Sequence, residues 1–331
     1  MAMHASRTSS RRSNHLGRRF GALLAMTVAL IAPAAITAAS SAATSRASFP
    51  VTFESATGPV TLKAAPTRIV SLSPTATQIL FAIGAGKQVV AVDDDSTLPA
   101  NAPRTPLSGY DPNVEAIAHY QPQLVVISYN PSGLAASLAK LGIPVLDQDA
   151  ASSLHGTYGQ IGELGSITGH RSTAQSLIAK MRSQIAAIVA ETPHFSPALT
   201  YYYELDQTYY TVTSDTFVGS LMSMLGLHNI ADATPGAASG YPQLSDEFIV
   251  KADPKVIILA DTICCGQSAK TVAKRPGWQS IAAVRTGGVV SINDSIASQW
   301  GPNVVTLERD VETALAHLET RDHADVASVV G

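Results

Sequence analysis

The sequence predicts an α/β protein: two α/β lobes with mainly parallel sheets, joined by one long α-helix. Three observations carry this. Short β-branched runs alternate with helical stretches, one helical stretch without glycine or proline lies near the middle, and a helix–proline–strand unit occurs in each half. Strands that alternate with helices build a mainly parallel sheet covered on both faces.

The first segment is basic and free of acids. Residues 1–43 contain Arg7, Arg11, Arg12, Arg18 and Arg19, then a charge-free run from position 21 that ends in alanines and serines. A basic start, an apolar middle and a small-residue exit predict an export signal, with an uncleaved membrane anchor as the alternative. No cysteine stands near the exit to take a lipid. Arg18-Arg19-Phe20 has flanks too poor to choose the twin-arginine route. Residues 44–65 read as a polar N-terminal arm.

The first lobe is expected at 66–169, with buried strands at 68–72, 89–93, 124–128 and 143–146. Pro74 and Pro112 open helices, since proline suits the first helical turn. The linking helix is expected at 170–192. Leu177, Met181, Ile185 and Ile188 fall on one face at helical spacing, and such a helix spans about 30 Å. Pro193 and Pro197 end it. The second lobe, 193–322, shows strands at 198–205, 209–213, 256–260 and 289–292, then a closing helix from Asn303 to about Glu319; a tail occupies 323–331. In the repeated unit, Glu115, Ile117 and Pro122 precede one strand, and Glu247, Ile249 and Pro254 precede another at the same offsets. Both glutamates fall in a first helical turn, where the helix dipole favours negative charge.

Composition excludes several classes. With 46% hydrophobic and 14% charged residues, the chain is too apolar to be disordered. Its net charge is -3, yet five of its 22 basic residues and none of its 25 acids lie in the leader, so the body is distinctly acidic. An acidic body has no basic stripe for phosphates, so no nucleic acid is expected as partner. After the leader no apolar run approaches the roughly 20 residues that cross a bilayer. Enzyme signatures are missing: no G-x-S-x-G elbow, no phosphate-binding loop, and scattered histidines unsuited to a zinc site. No catalytic residue, resident metal or cofactor is expected.

Ligands of open α/β sheets bind beyond the carboxyl ends of the strands. Those ends supply the candidate ligand-binding residues: Ser73, Thr75, Asp94, Tyr110 and Tyr129 in the first lobe, and Tyr203, Glu204, Tyr209, Tyr241, Gln243, Cys264, Cys265 and Trp300 in the second. Most of the ten tyrosines gather there although only 6% of the chain is aromatic, which suits a bulky, partly apolar ligand. Residues 201–203 must alternate faces along a strand, so at least one of these tyrosines belongs to the core. Cys264 and Cys265, the two cysteines of the chain, are compatible with a vicinal disulfide in an oxidising compartment, with two thiols, or with a crossed dimer.

The stretch 68–77 (RIVSLSPTAT), Leu80 to Gly84, Gly109-Tyr110 with Asn113-Val114-Glu115, and 122–127 (PQLVVI) together resemble the substrate-binding proteins of iron-siderophore, haem and cobalamin ABC importers. The resemblance covers roughly residues 50–320. It implies two lobes on a rather rigid hinge, a small-molecule metal chelate clasped between them, and an ABC importer permease as partner. Glu115 and Glu247 match the glutamates, one per lobe, that dock onto permease arginines in that family. An iron-siderophore type chelate is the leading expectation, with cobalamin or haem as the alternative; only Arg104, Arg275 and Arg285 lie in loops that could reach the cleft, which favours a neutral or cationic chelate such as a hydroxamate. From another class, a secreted chelate-modifying enzyme would turn its ligand over. The protein is expected to be exported, periplasmic or otherwise extracytoplasmic, and monomeric. Two departures stand out: Gln78 occupies a position where the family often has glutamate, and the lipobox cysteine is absent.

Overall fold

In the computed structural model residues 49–330 are described, with side chains through 321; the leader lies outside them. The segment read as an arm is a hairpin. β1 (Val51–Ser55) pairs antiparallel with β2 (Gly58–Leu62), and Gly58 takes a positive φ of 107° at the turn. Phe53 is buried, and Val51, Val60 and Leu62 pack against the core.

The first lobe runs β3 (Ile69–Leu72), α1 (Pro74–Ala82), β4 (Val89–Asp93), β5 (Arg104–Leu107), α2 (Val114–His119), β6 (Leu124–Ile127), α3 (Leu134–Lys140), β7 (Val145–Asp147) and α4 (Leu154–Ile167). Its five strands form a parallel sheet in the order β5-β4-β3-β6-β7. The long helix α5 (Arg171–Glu191) follows. The second lobe runs β8 (Thr200–Glu204), α6 (Phe217–Met224), β9 (His228–Asn229), α7 (Asp246–Ala252), β10 (Val256–Leu259), α8 (Ala269–Val272), α9 (Ala282–Thr286), β11 (Val289–Ser291), α10 (Asp294–Ala297) and α11 (Val304–Val330). Its parallel sheet has the order β11-β10-β8-β9.

The sequence repeat is a structural repeat. Ile69 of β3 pairs with Leu124 of β6, and Tyr201 of β8 pairs with Val256 of β10. One shift in residue number carries the first pair to the second and Glu115 to Glu247. The same shift relates Gln121 to Asp253, the non-glycine residues held at positive φ (49° and 47°) directly before Pro122 and Pro254. A following proline disfavours the helical conformation, so both helices stop at the same place.

Four expectations are corrected. Residues 209–213 are not a strand; they make one bridge, Tyr210 to Gln243, and Thr211 and Thr213 donate backbone hydrogen bonds to Pro242 and Gly240. β5 was not expected, because Pro106 interrupts it. α4 was not expected either, since Gly156, Gly159, Gly162 and Gly165 depress helix propensity. Tertiary packing overrides that cost at Gly165, where an added methyl group would overlap Cβ of Ala174 on α5. Finally, α11 continues to Val330 through the segment expected to be a tail.

The lobes share one apolar core. A continuous cluster runs from Ile69 and Leu124 through Met181, Ile185 and Ile188 of α5 to Tyr203 and Ile258, and on to Leu307 and Val311 of α11. Smaller clusters lie on the other face of each sheet, around Ile117 with Leu138 and around Ile249 with Trp278. Close-packed interiors resist deformation, so the lobes are set stiffly about α5.

Candidate functional site

A cavity of about 480 Å³ opens between the lobes. The first lobe contributes Ala150 to Ser152, from the loop after β7. The second contributes Val212 from the segment after β8, Phe217 at the start of α6, Tyr241, and Ser298 to Trp300 after α10. The wall is apolar and aromatic with hydroxyls and the Gln299 amide; among the described residues Asp215 is its only charged side chain, and no Lys, Arg or His lines it. Among the described residues no group of three or more His, Cys, Asp or Glu side chains is placed to hold a metal ion.

The segment 298–301 ties the lobes together. Gln78 Nε2 donates to Gln299 Oε1, Thr157 Oγ1 donates to the Trp300 carbonyl at 2.9 Å, and Trp300 Nε1 donates to Gln160 Oε1 at 2.9 Å. Thr97 and Ser295 share a hydroxyl–hydroxyl bond of 2.8 Å nearby. All of these bonds are between neutral groups. The Gln78 side chain donates an amide proton here that a carboxylate could not supply.

A family model described as periplasmic binding protein matches residues 69–296, most of the chain. The chain belongs to the periplasmic binding protein family. It is 36% identical over 268 residues to a cobalamin-binding protein of Halobacterium salinarum, which covers 78% of this chain and 72% of that protein. It is 31% identical over 267 residues to an ABC transporter substrate-binding lipoprotein of Bacillus subtilis, 78% of this chain and 82% of that one. Among solved structures, the periplasmic vitamin B12 binding protein of Vibrio cholerae superposes with a TM-score of 0.63 at 25% identity, across 77% of this chain and 99% of the other. Periplasmic binding proteins of this kind are components of transport systems.

In this binding protein, the expected ligand residues divide into three groups. Tyr241 and Trp300 line the cavity. Tyr110 and Tyr129 stand exposed beyond β5 and β6, their rings 6.2 Å apart and tilted by 47°. Asp94 is exposed beyond β4, and Gln243 is exposed but donates its amide to the Thr208 carbonyl at 2.9 Å. Cys264 and Cys265 are bonded to each other on an exposed loop after β10.

The remaining residues do not line the cavity: Ser73, Thr75, Tyr203 and Glu204 are buried, and Tyr209 is half-buried. Ser73 is buried and caps α1, accepting from the Ala76 amide at 3.3 Å. Thr75 is buried beside Gly301. Tyr203 is fully buried, and its hydroxyl donates to the Ala297 carbonyl at 3.1 Å. Strand β8 lies inside a sheet covered on both faces, so all three tyrosines of 201–203 are core. Glu204 is fully buried and takes both guanidinium branches of Arg275 at 2.6 Å each. Tyr209, at φ 70°, stacks on Trp278 with centroids 5.9 Å apart, and Arg275 lies over both rings.

This polar interior shifts several ionisations. Burial, followed by the Glu204 charge, pushes Asp261 up to about 7. Burial alone would lower Arg275, but the hydrogen bonds and charge of Glu204 leave it raised. At the end of β4, burial pushes Asp93 up to about 6 against the opposing hydrogen bond to Ser96.

Phe217, Val218, Val212 and the loop at Ala150 to Ser152 were not anticipated as lining. As apolar or small residues they carry no local signal that separates a cavity wall from a core.

Proposed function

We propose that this protein is the extracytoplasmic substrate-binding component of an ABC importer and that it captures a corrinoid of the cobalamin class between its lobes. The observation that carries this reading is the cavity wall, with aromatic rings, hydroxyls and the Gln299 amide but, among the described residues, no basic side chain. A strongly anionic ferric chelate, or the propionates of haem, would lie there without a counter-charge, and a buried unpaired charge is costly. Arg275, in a second-lobe loop, is already committed to Glu204. A ligand with an apolar ring face and neutral amide arms suits the wall better. The 36% identity to a cobalamin-binding protein supports the same class. A ligand larger than the cavity is expected to reach over the ends of β5 and β6 to Tyr110 and Tyr129.

A neutral ferric hydroxamate is the second reading, favoured by the same lack of basic residues. A thermal-shift panel of cyanocobalamin, a neutral ferric hydroxamate and haem separates the readings. At a ligand concentration 100 times Kd, binding should stabilise the protein by about 2.7 kcal/mol. The expected result is the largest shift with cyanocobalamin. A shift confined to the hydroxamate or haem would overturn the corrinoid assignment, and no shift with any of them would overturn the binding role.

The docking role of Glu115 and Glu247 belongs to the same proposal. Both are exposed, in the first turns of α2 and α7. Hydrogen bonds from its own backbone amide and from Ser245 hold Glu247 below the usual carboxylate range, so it stays charged. Paired anions on the two lobes suit basic residues of a permease. The double variant Glu115→Ala/Glu247→Ala should keep the affinity of the parent protein and reduce cellular uptake at least about tenfold, or 1.4 kcal/mol in coupling. Loss of ligand binding in the purified variant would contradict docking. The protein is taken to work as a monomer outside the cytoplasm, exported by residues 1–43.

A further inference from the structure

The loop after β10 presents an apolar crest where a ligand-binding protein presents its ligand face. Ile263 is 71% exposed, and Cys264 and Cys265, bonded to each other, are exposed beside it. Joining the sulfurs removes two thiol protons and leaves a polarisable apolar surface.

Both shoulders of this crest are clamped. On one side the Asp294 carboxylate accepts from Thr262 Oγ1 at 3.1 Å, the Ile263 amide at 2.9 Å and the Cys264 amide at 2.6 Å. Thr262 Oγ1 also approaches the Ile292 carbonyl at 2.6 Å. Burial would raise Asp294, but these bonds to Ile263, Cys264 and Thr262 hold it below the usual carboxylate range. On the other side Gln267 Oε1 accepts from Arg275 at 2.8 Å, and the Gln267 amide donates to the Asp261 carbonyl at 3.3 Å. The next residue after Asp294, Ser295, bonds Thr97 of the first lobe. The crest is thus fixed from beneath, beside a contact between the lobes.

A lone exposed aliphatic residue needs no explanation, but three consecutive apolar residues held rigid from two sides do. Immobilising a surface before it meets its ligand removes part of the ordering cost of binding. We infer that Ile263 and the Cys264–Cys265 disulfide form a preorganised apolar contact that packs against the ring face of the bound ligand and helps select ligands that have such a face. This rests on the corrinoid reading above and adds a contact to it outside the lining of the cavity.

The test measures cyanocobalamin affinity of the full-length protein by equilibrium titration. Ile263→Ser and the double variant Cys264→Ser/Cys265→Ser should each raise Kd about tenfold, a loss of about 1.4 kcal/mol, with melting temperatures close to that of the parent. Treating the parent protein with a phosphine reductant should give a similar loss, through cleavage of the S–S bond to two thiols with oxidation of the phosphine. The same treatment should leave the double variant unchanged. If the parent binds cyanocobalamin and the variants bind equally well, the contact is overturned while the corrinoid reading stands. If the variants bind normally but support no uptake, the crest touches the permease instead, which also overturns it. If the parent does not bind cyanocobalamin, both readings fall together.

Discussion

Arg275→Ala is expected to destabilise the protein by about 3–5 kcal/mol, the usual cost of leaving one member of a buried ion pair alone. Glu204 is fully buried and both of its oxygens depend on Arg275. Asp261 lies close enough for the Glu204 charge to raise its ionisation, and among the described residues neither of its carboxylate oxygens has a hydrogen-bond partner. Without the guanidinium, two acids share one unsatisfied pocket. The ring sandwich of Tyr209, Arg275 and Trp278 is lost as well. For a body of this size the melting temperature should fall on the order of 10 °C. Replacing the pair together, as Glu204→Leu/Arg275→Met, should recover much of the loss, because an apolar pair of similar volume avoids the desolvation cost. Thermal melts of the single and double variants form the cycle. Additive losses, or a single-variant effect below about 1 kcal/mol, would show that the pair contributes little.

Glu308→Gln should have the opposite sign and a strong pH dependence. Glu308 of α11 is fully buried, and among the described residues neither of its oxygens has a hydrogen-bond partner. Burial pushes its ionisation up to about 8. A folded-state value above the unfolded one means that the carboxyl's stabilising share is complete below about pH 4.5 and is lost as pH rises through about 8. Asp93 and Asp261, raised to about 6 and about 7, act in the same direction at lower pH. The parent protein should therefore lose stability steadily from about pH 5 to about pH 9. A glutamine of the same shape cannot ionise. The variant should match the parent near pH 5 and exceed it at pH 9 by a few kcal/mol, on the order of two to three pKa units at 1.36 kcal/mol each. Denaturant melts at pH 5, 7 and 9 measure this. Parallel stability curves for the two proteins would sink the assignment.

What could be read in the sequence was what depends on near neighbours. The runs at β6 and β10 are continuously apolar, β3 is interrupted only by Ser71, β8 holds three consecutive tyrosines, and the helix–proline–strand units carry their own stop signal at Pro122 and Pro254. The α5 helix was legible from its spacing of Leu177, Met181, Ile185 and Ile188, although Ala174 is buried in the finished structure and Leu177 is only partly so. The four glycines of α4 hid a helix whose existence depends on contact with α5. The run 209–213 suggested a strand, but a strand needs a partner, and among the described residues it makes one bridge.

The candidate site divided along the same line. Tyrosines gathered at the ends of strands, and the paired glutamates in their first turns, could be found by position alone. Whether a given side chain faces ligand or core could not. Glu204 looks like a site residue until Arg275, 71 positions away, is seen to neutralise it. Tyr203 looks like one until the sheet is covered on both faces. Periodicity, turn chemistry and the internal repeat thus determined two wound lobes and the helix between them, because those features act over a few residues. The cavity wall and the buried ionisable groups were decided by the tertiary structure, because exclusion of water at one residue is set by what distant segments lay against it.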